Sequence, residues 1–237
     1  MKKDVIIACD FPNKESTFAF LDLFQGLAQK PYLKIGMELF YGEGPDIVRA
    51  IKDQGYLIFL DLKLHDIPNT VKKAMTNLAR LGVDMTNLHA AGTIAMMKAA
   101  KEGLDAGSPS GKKVDLIAVT QLTSTSAQML QEELLIHTPM EDTVLAYAKN
   151  AQVAGLQGVV CSPLEAKAVK EVYGNSFITV TPGIRYPSGV KDDQQRVTTP
   201  TQAAAIGTDY IVVGRPITAA QDPLAAYNKV CKDFLGL

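Results

Sequence analysis

The amino-acid sequence predicts an α/β chain folded as a (β/α)8 barrel of the TIM type, a single domain over residues 1–237. Three observations predict it. Short apolar runs alternate with longer helical patterns from one end to the other, and eight such runs can be counted. The runs are almost continuously apolar, as parallel strands are when helices cover them on the outside. The rival architecture, a doubly wound open sheet, usually carries a GxGxxG turn after its first strand. Here that turn reads Asp10-Phe11-Pro12-Asn13, with no glycine to let a dinucleotide approach.

In chain order, the strands are expected at Asp4–Asp10, Tyr32–Gly36, Leu57–Lys63 and Asp84–His89, then at Val114–Thr120, Gly158–Cys161, Ser176–Val180 and Asp209–Val213. A helix over Glu15–Ala28 follows the turn and cap residues Pro12 and Asn13 and places Phe18, Leu21, Phe24 and Leu27 at helical spacing. Pro68–Leu81 opens on proline, tolerated in a first helical turn, and ends at Gly82, which can adopt the left-handed conformation. Further helices are expected at Thr93–Ala106, Glu141–Ala154, Pro163–Val172 and Asp222–Leu235. Met96, Met97, Phe18 and Phe24 read as helix-to-barrel packing. Two connections are longer and more polar than the rest: Gln121–Pro139, with a short helical stretch near Gln128–Leu135, and Pro182–Thr199. Loops of that length in a barrel are usually lids or ligand loops.

Composition excludes several classes. With 24 Lys+Arg against 25 Asp+Glu, the net charge of −1 leaves no footprint for nucleic acid. No stretch approaches the ~18 apolar residues of a membrane span, and the apolar run in MKKDVIIACD is too short for a signal peptide. Cys9, Cys161 and Cys231 form no CxxC and read as buried reduced thiols, so a cytoplasmic protein is expected.

In such a barrel the active site lies at the carboxyl ends of the strands. Those ends carry Asp10, Asp61 and Lys63, His89, Thr123, Arg185 and Gly214-Arg215, with Lys34 inside the second strand. The densest signal is DLKLHDIPNT, Asp61–Thr70. Strand residues two apart share a face, so Asp61 and Lys63 both point into the mouth. With Lys34 and Asp66 they make four alternating charges, the pattern of a prearranged electrostatic site. Gly214-Arg215 follows the last strand, where such barrels bind phosphate through backbone N–H groups and a short helix, and Arg215 adds a planar fork for phosphate oxygens. His89 reads as a rim residue, and no metal site is expected, because His65-Asp66 has no second ligand at helical spacing.

The run FLDLKLHDIPNTV resembles the D-x-K-x-x-D signature of bacterial-type orotidine 5′-phosphate decarboxylases. LKIGMELF around Lys34, TPGIR at Thr181–Arg185 and VVGRPI at Val212–Ile217 resemble that family too, in order and separation along nearly the whole chain. The resemblance implies cofactor-free decarboxylation of orotidine 5′-phosphate (OMP) to uridine 5′-phosphate (UMP), the last step of de novo pyrimidine synthesis. It assigns Lys63 to protonation of C6, Asp61 and Asp66 to flanking the substrate carboxylate, Lys34 to the ribose and the charge network, and Asp10 to the ribose. Arg185 and Gln194 match residues that close over the phosphate, with Pro182 in the same motif. Thr123 reads as a hydrogen-bonding contact to the base, with Ser124 the next candidate and a loop N-cap the alternative. Asp66 and Thr70 match residues that enter from the neighbouring subunit, which implies a homodimer with shared sites. Two rivals remain: a Mg²⁺-dependent sugar-phosphate enzyme of the same superfamily, which would carry a carboxylate where Lys34 stands, and a non-catalytic nucleotide-binding barrel.

Overall fold

A computed structural model describes residues 3–109, 112–186 and 197–236. Eight parallel strands close into a barrel in sequence order: β1 (Asp4–Cys9), β2 (Tyr32–Ile35), β3 (Leu57–Leu64), β4 (Met85–His89), β5 (Asp115–Val119), β6 (Gly158–Val160), β7 (Ile178–Thr181) and β8 (Tyr210–Val213). β1 pairs with β8 through Ile7↔Val213, which seals the ring. The eight expected strands are all present, shifted at their ends by one or two residues, as helix and strand boundaries usually are.

The helices are α1 (Lys14–Asp22), α2 (Met37–Glu43), α3 (Pro45–Asp53), α4 (Pro68–Arg80), α5 (Thr93–Gly107) and α6 (Ala127–Glu132), then α7 (Met140–Val153), α8 (Pro163–Tyr173), α9 (Pro200–Ile206), α10 (Arg215–Thr218) and α11 (Pro223–Leu235). α1 starts where expected, its Asn13 cap accepting a bond from the Ser16 N–H at 2.9 Å, but ends six residues early. Beyond Asp22 the chain tightens into three-residue turns, Leu23 N–H to Phe20 O and Phe24 N–H to Leu21 O, which still bury Phe24 fully. The sequence reading names no helix for α2, α3 or α9, and gives α10 only as the short helix after the last strand. Each has nine residues or fewer, too few turns for a 3.6-residue period to stand out. Gly44, at φ +71°, makes the break between α2 and α3 that a side chain would resist.

Alternation along each strand separates two apolar layers. Ile6, Phe59, Met85, Ile117, Val180 and Tyr210 pack on the barrel axis. Val5, Ile7, Leu33, Ile58 and Leu60 face outward against helix residues such as Phe24, Leu39, Ile51, Met75 and Met96. α4 and α5, which flank β4, touch at the backbone: a Cβ on Gly103 would lie 2.1 Å from Lys72 O, and one on Gly107 2.2 Å from Thr76 O. Cys9, Cys161 and Cys231 are buried, and none of them is in a disulfide. Among the described residues no helix is long and apolar enough to cross a membrane.

Candidate active site

The layer of axial side chains stops short of the carboxyl ends of the strands, and a cavity of about 570 Å³ opens there, a size suited to a small ligand. Its floor is apolar, from Ala8, Phe59, Val119, Val160 and Val212.

One wall is a row of alternating charges built from three adjacent strands. Asp10, just past β1, accepts a bond from Lys34 Nζ at 2.8 Å. Lys34 Nζ stands 3.6 Å from Asp61 Oδ2 on β3, and Asp61 Oδ1 accepts from Lys63 Nζ at 2.7 Å. Gly36 makes room for the first pair, since a Cβ there would sit 2.8 Å from both Asp10 Oδ1 and Lys34 Nζ. Asp61 also accepts from Asn87 Nδ2 on β4 at 2.7 Å.

Lys34 and Asp61 are both buried, and burial alone would discharge each of them. For Asp61 that penalty is outweighed by the charges of Lys34 and Lys63 and by its hydrogen bonds, and its carboxyl is held below the usual carboxylate range. For Lys34 the penalty of burial is outweighed by Asp61 and Asp10, which raise the ammonium above its ordinary value. Both groups therefore stay charged in a site that shields them from water. His89, at the rim on β4, is lowered by burial and then by the neighbouring His65 and Lys63.

The strand carrying Asp61 and Lys63 is not regular. Leu60 pairs with Thr86 and Leu64 with Leu88, so three residues of β3 stand opposite Asn87 alone. Lys63 absorbs the surplus at φ +52°, a left-handed conformation rare for a residue with a long side chain. Two-residue alternation puts both charges on one face, and the bulge re-aims the second.

The opposite wall comes from loops. Thr123 and Ser124, after β5, both line the cavity, as do Pro182 and Arg185 after β7 and Gly214 and Arg215 after β8. Gly214 is the residue before the short helix α10. The β7 loop is pinned at its stems, with Arg185 N–H donating to Thr198 O at 2.9 Å and Thr198 N–H to Gly183 O at 3.0 Å. Gln194 lies outside the described residues.

Two expected site residues are not at this mouth. Asp66 and Thr70 are exposed and take no part in the cavity wall. Asp66 turns its carboxylate back to the Ile67 N–H at 2.6 Å. The fourth charge of the row is Asp10, not Asp66, because the chain leaves the barrel at His65 to begin α4 at Pro68. Conversely, the sequence reading passed over Asn87 and Gln121, both buried. Gln121 lines the cavity, while Asn87 bridges Asp61 and the Lys63 backbone. Strand parity places Asn87 between Met85 and His89 on the inner face, which was the available signal. Among the described residues no three or more His, Cys, Asp or Glu side chains are grouped to hold a metal ion.

Comparison with known proteins agrees with this fold. The chain is 56% identical over 230 residues to a protein of Enterococcus faecalis named orotidine 5′-phosphate decarboxylase, covering 97% of each. It is 57% identical over 229 residues to a protein of that name from Listeria monocytogenes, again covering 97% of each. The solved structure of orotidine 5′-phosphate decarboxylase from Lactobacillus acidophilus superposes with a TM-score of 0.88 at 46% identity, over 98% of this chain and 99% of that one. An uncharacterized conserved protein from Geobacillus kaustophilus superposes at 0.86 with 51% identity, over 97% and 99%. The family model described as Orotidine 5′-phosphate decarboxylase / HUMPS family matches residues 3–230. With the match spanning nearly the whole chain, this protein belongs to the orotidine 5′-phosphate decarboxylase / HUMPS family.

Proposed function

We propose that this chain converts OMP to UMP and CO2 without a cofactor, with Lys63 as the proton donor. The observation that carries the reading is the row Asp10–Lys34–Asp61–Lys63 on the wall of a closed-floored cavity, in a chain so similar to proteins named for that reaction.

Breaking the C6–CO2 bond leaves an electron pair on C6, and the pyrimidine ring offers no position to delocalise it. CO2 departs neutral. The Lys63 ammonium, fixed by Asp61 on a rigid strand, stabilises the pair as it develops and then transfers a proton to form the C6–H bond of UMP. Solvent reprotonates the amine. Lys34 neutralises Asp61 from its other side and, with Asp10, is placed to hold the ribose hydroxyls. Pro182, Arg185, Gln194, Gly214 and Arg215 form the phosphate end, and Thr123, with Ser124 beside it, reads the base.

Asp66 and Thr70 complete the site of a second copy of the chain in a homodimer. Their exposure outside their own cavity, next to the exposed apolar Ile67, supports this division. In a two-fold dimer, a segment that leaves one barrel can enter the other by symmetry.

A metal-dependent sugar-phosphate chemistry fits less well, since an ammonium 3.6 Å from Asp61 would repel a divalent cation there. A spectrophotometric assay decides between them. OMP should be consumed at the same rate with and without EDTA. No turnover of OMP, or turnover abolished by EDTA, would overturn the proposal.

A further inference from the structure

We infer that Asn87 is a positioning residue for the reaction: it holds the irregular turn of β3 that aims the Lys63 ammonium. The inference rests on the decarboxylation reading above for what the ammonium does, but not for where it points.

Asn87 is 1% exposed, and its carboxamide uses both its ends. Asn87 Oδ1 accepts the Lys63 N–H at 2.8 Å, and Nδ2 donates to Asp61 Oδ1 at 2.7 Å. Asp61 Oδ1 in turn accepts from Lys63 Nζ at 2.7 Å. The four groups close a ring that runs from the lysine backbone, through Asn87 and Asp61, back to the lysine side chain.

Two features show why β4 needs an amide here. Where Asp61, Leu62 and Lys63 stand opposite one residue, the regular β3–β4 ladder is interrupted, and the Lys63 N–H loses its strand partner. A buried N–H without an acceptor is costly, and the Asn87 carbonyl supplies one. Lys63 also holds φ +52°, a conformation that persists only where the surroundings over-determine it. An isosteric carboxylate could accept from the N–H but could not donate to Asp61 unless protonated. An aliphatic side chain could do neither.

The titratable groups of this corner are Asp61, Lys63 and His65 on or after β3, His89 on β4, Lys34 on β2 and Asp10 after β1. The parent carries the same groups, so its own pH profile is the reference against which an aspartate at position 87 is read. In N87D two carboxylates would share one site, so one of them takes up a proton well above the usual carboxylate range. That proton restores the missing donor.

The test compares the parent with N87A and N87D. N87A should lose about 10²-fold in kcat, the cost of a misplaced reacting group, while UMP binds as before. N87D should be as impaired at pH 8 and regain activity as the pH falls to about 5, where the parent shows no such gain. Thermal melts identify a variant that fails to fold, and N87D, equal in volume, stands in for N87A in that case. A second reading does not depend on turnover. In protein labelled at lysine, the NMR signal of the Lys63 side chain, assigned through its loss in K63R, should move in both variants. If the parent does not turn over OMP, the proposed function fails, and the Lys63 signal still decides this inference. Variants with parental kcat, losses shared equally by kcat and UMP affinity with no recovery at low pH, or an unmoved Lys63 signal would each overturn it.

Discussion

Lysine–aspartate pairs hold both ends of the barrel, and they are built differently. At the end where the strands begin, Lys170 meets Asp209 and also donates to the main-chain oxygens of Asn175 and Phe177. Lys52 meets Asp84 at 2.7 Å and the Tyr56 oxygen at 2.8 Å. The aspartates are equally committed, Asp209 to the Thr179 N–H and Asp84 to the Ile58 N–H, each at 2.8 Å. At the mouth, Lys34 and Lys63 bond carboxylates and, among the described residues, no main-chain carbonyl. An ammonium has three donors. Where carbonyls take them, lysine ties segments together. Where only carboxylates do, it keeps donors and field for a ligand. The difference teaches that a buried ion pair is read by what else its partners bind.

Removing lysines from the two ends separates these roles. Lys63→Ala should cut kcat for OMP by about 10⁴-fold or more, the combined worth of a proton donor and a preorganised charge, while the protein still binds UMP. A variant keeping a tenth of parental kcat would remove Lys63 from the chemistry and erase the contrast.

Lys170→Met should do the opposite. It leaves Asp209 buried without its counter-charge, which costs about 3–5 kcal/mol, or about 6–20 °C in Tm for a chain of this size. The kcat of the folded enzyme should not move. A large fall in kcat with an unchanged melt would make the end where the strands begin part of the catalytic machinery.

The proposed phosphate end sharpens the comparison by size. Arg215→Ala should lower kcat/KM for OMP by about 10²–10³-fold, as expected when a charge-assisted pair to phosphate is lost. Orotidine, which lacks the phosphate, should be little affected, because binding energy far from C6 is then no longer available to the transition state. Equal losses on both substrates would show that Arg215 serves the fold or the base.

The smallest effect is expected from the proposed sharing between subunits. Lys63→Ala and Asp66→Ala homodimers should both be nearly inactive. After random exchange half the dimers are mixed and half of their sites intact, so activity should return to about a quarter of the parent's. No return, with exchange verified by native mass spectrometry, would leave Asp66 in the site of its own chain and make the mouth as self-contained as the end where the strands begin.

Much of this was readable in the sequence, because it depends on local periodicity. The eight apolar runs mark strands by burial on both faces, and two-residue spacing alone puts Asp61 and Lys63 on one side. Pro68 and Gly82 mark the limits of α4, and Asn13 caps α1 as its position suggests. Asp10, Arg185 and Arg215 follow the expected strand ends and Lys34 lies inside the second strand, so their position at one end of the barrel was readable from the strand order. The short helices α2, α3 and α9 escaped, since so few turns carry no clear period.

What tertiary structure decided is whatever depends on a neighbour. The arch of three β3 residues over Asn87 exists because β4 offers one position between Thr86 and Leu88. No property of DLKLHD states the length of its partner strand. The left-handed Lys63, the recruitment of Asn87 and the replacement of Asp66 by Asp10 in the charge row all follow from that packing and from where the chain leaves the barrel. Residue types and their faces are written locally, whereas aim and pairing are set by contacts between segments distant in sequence.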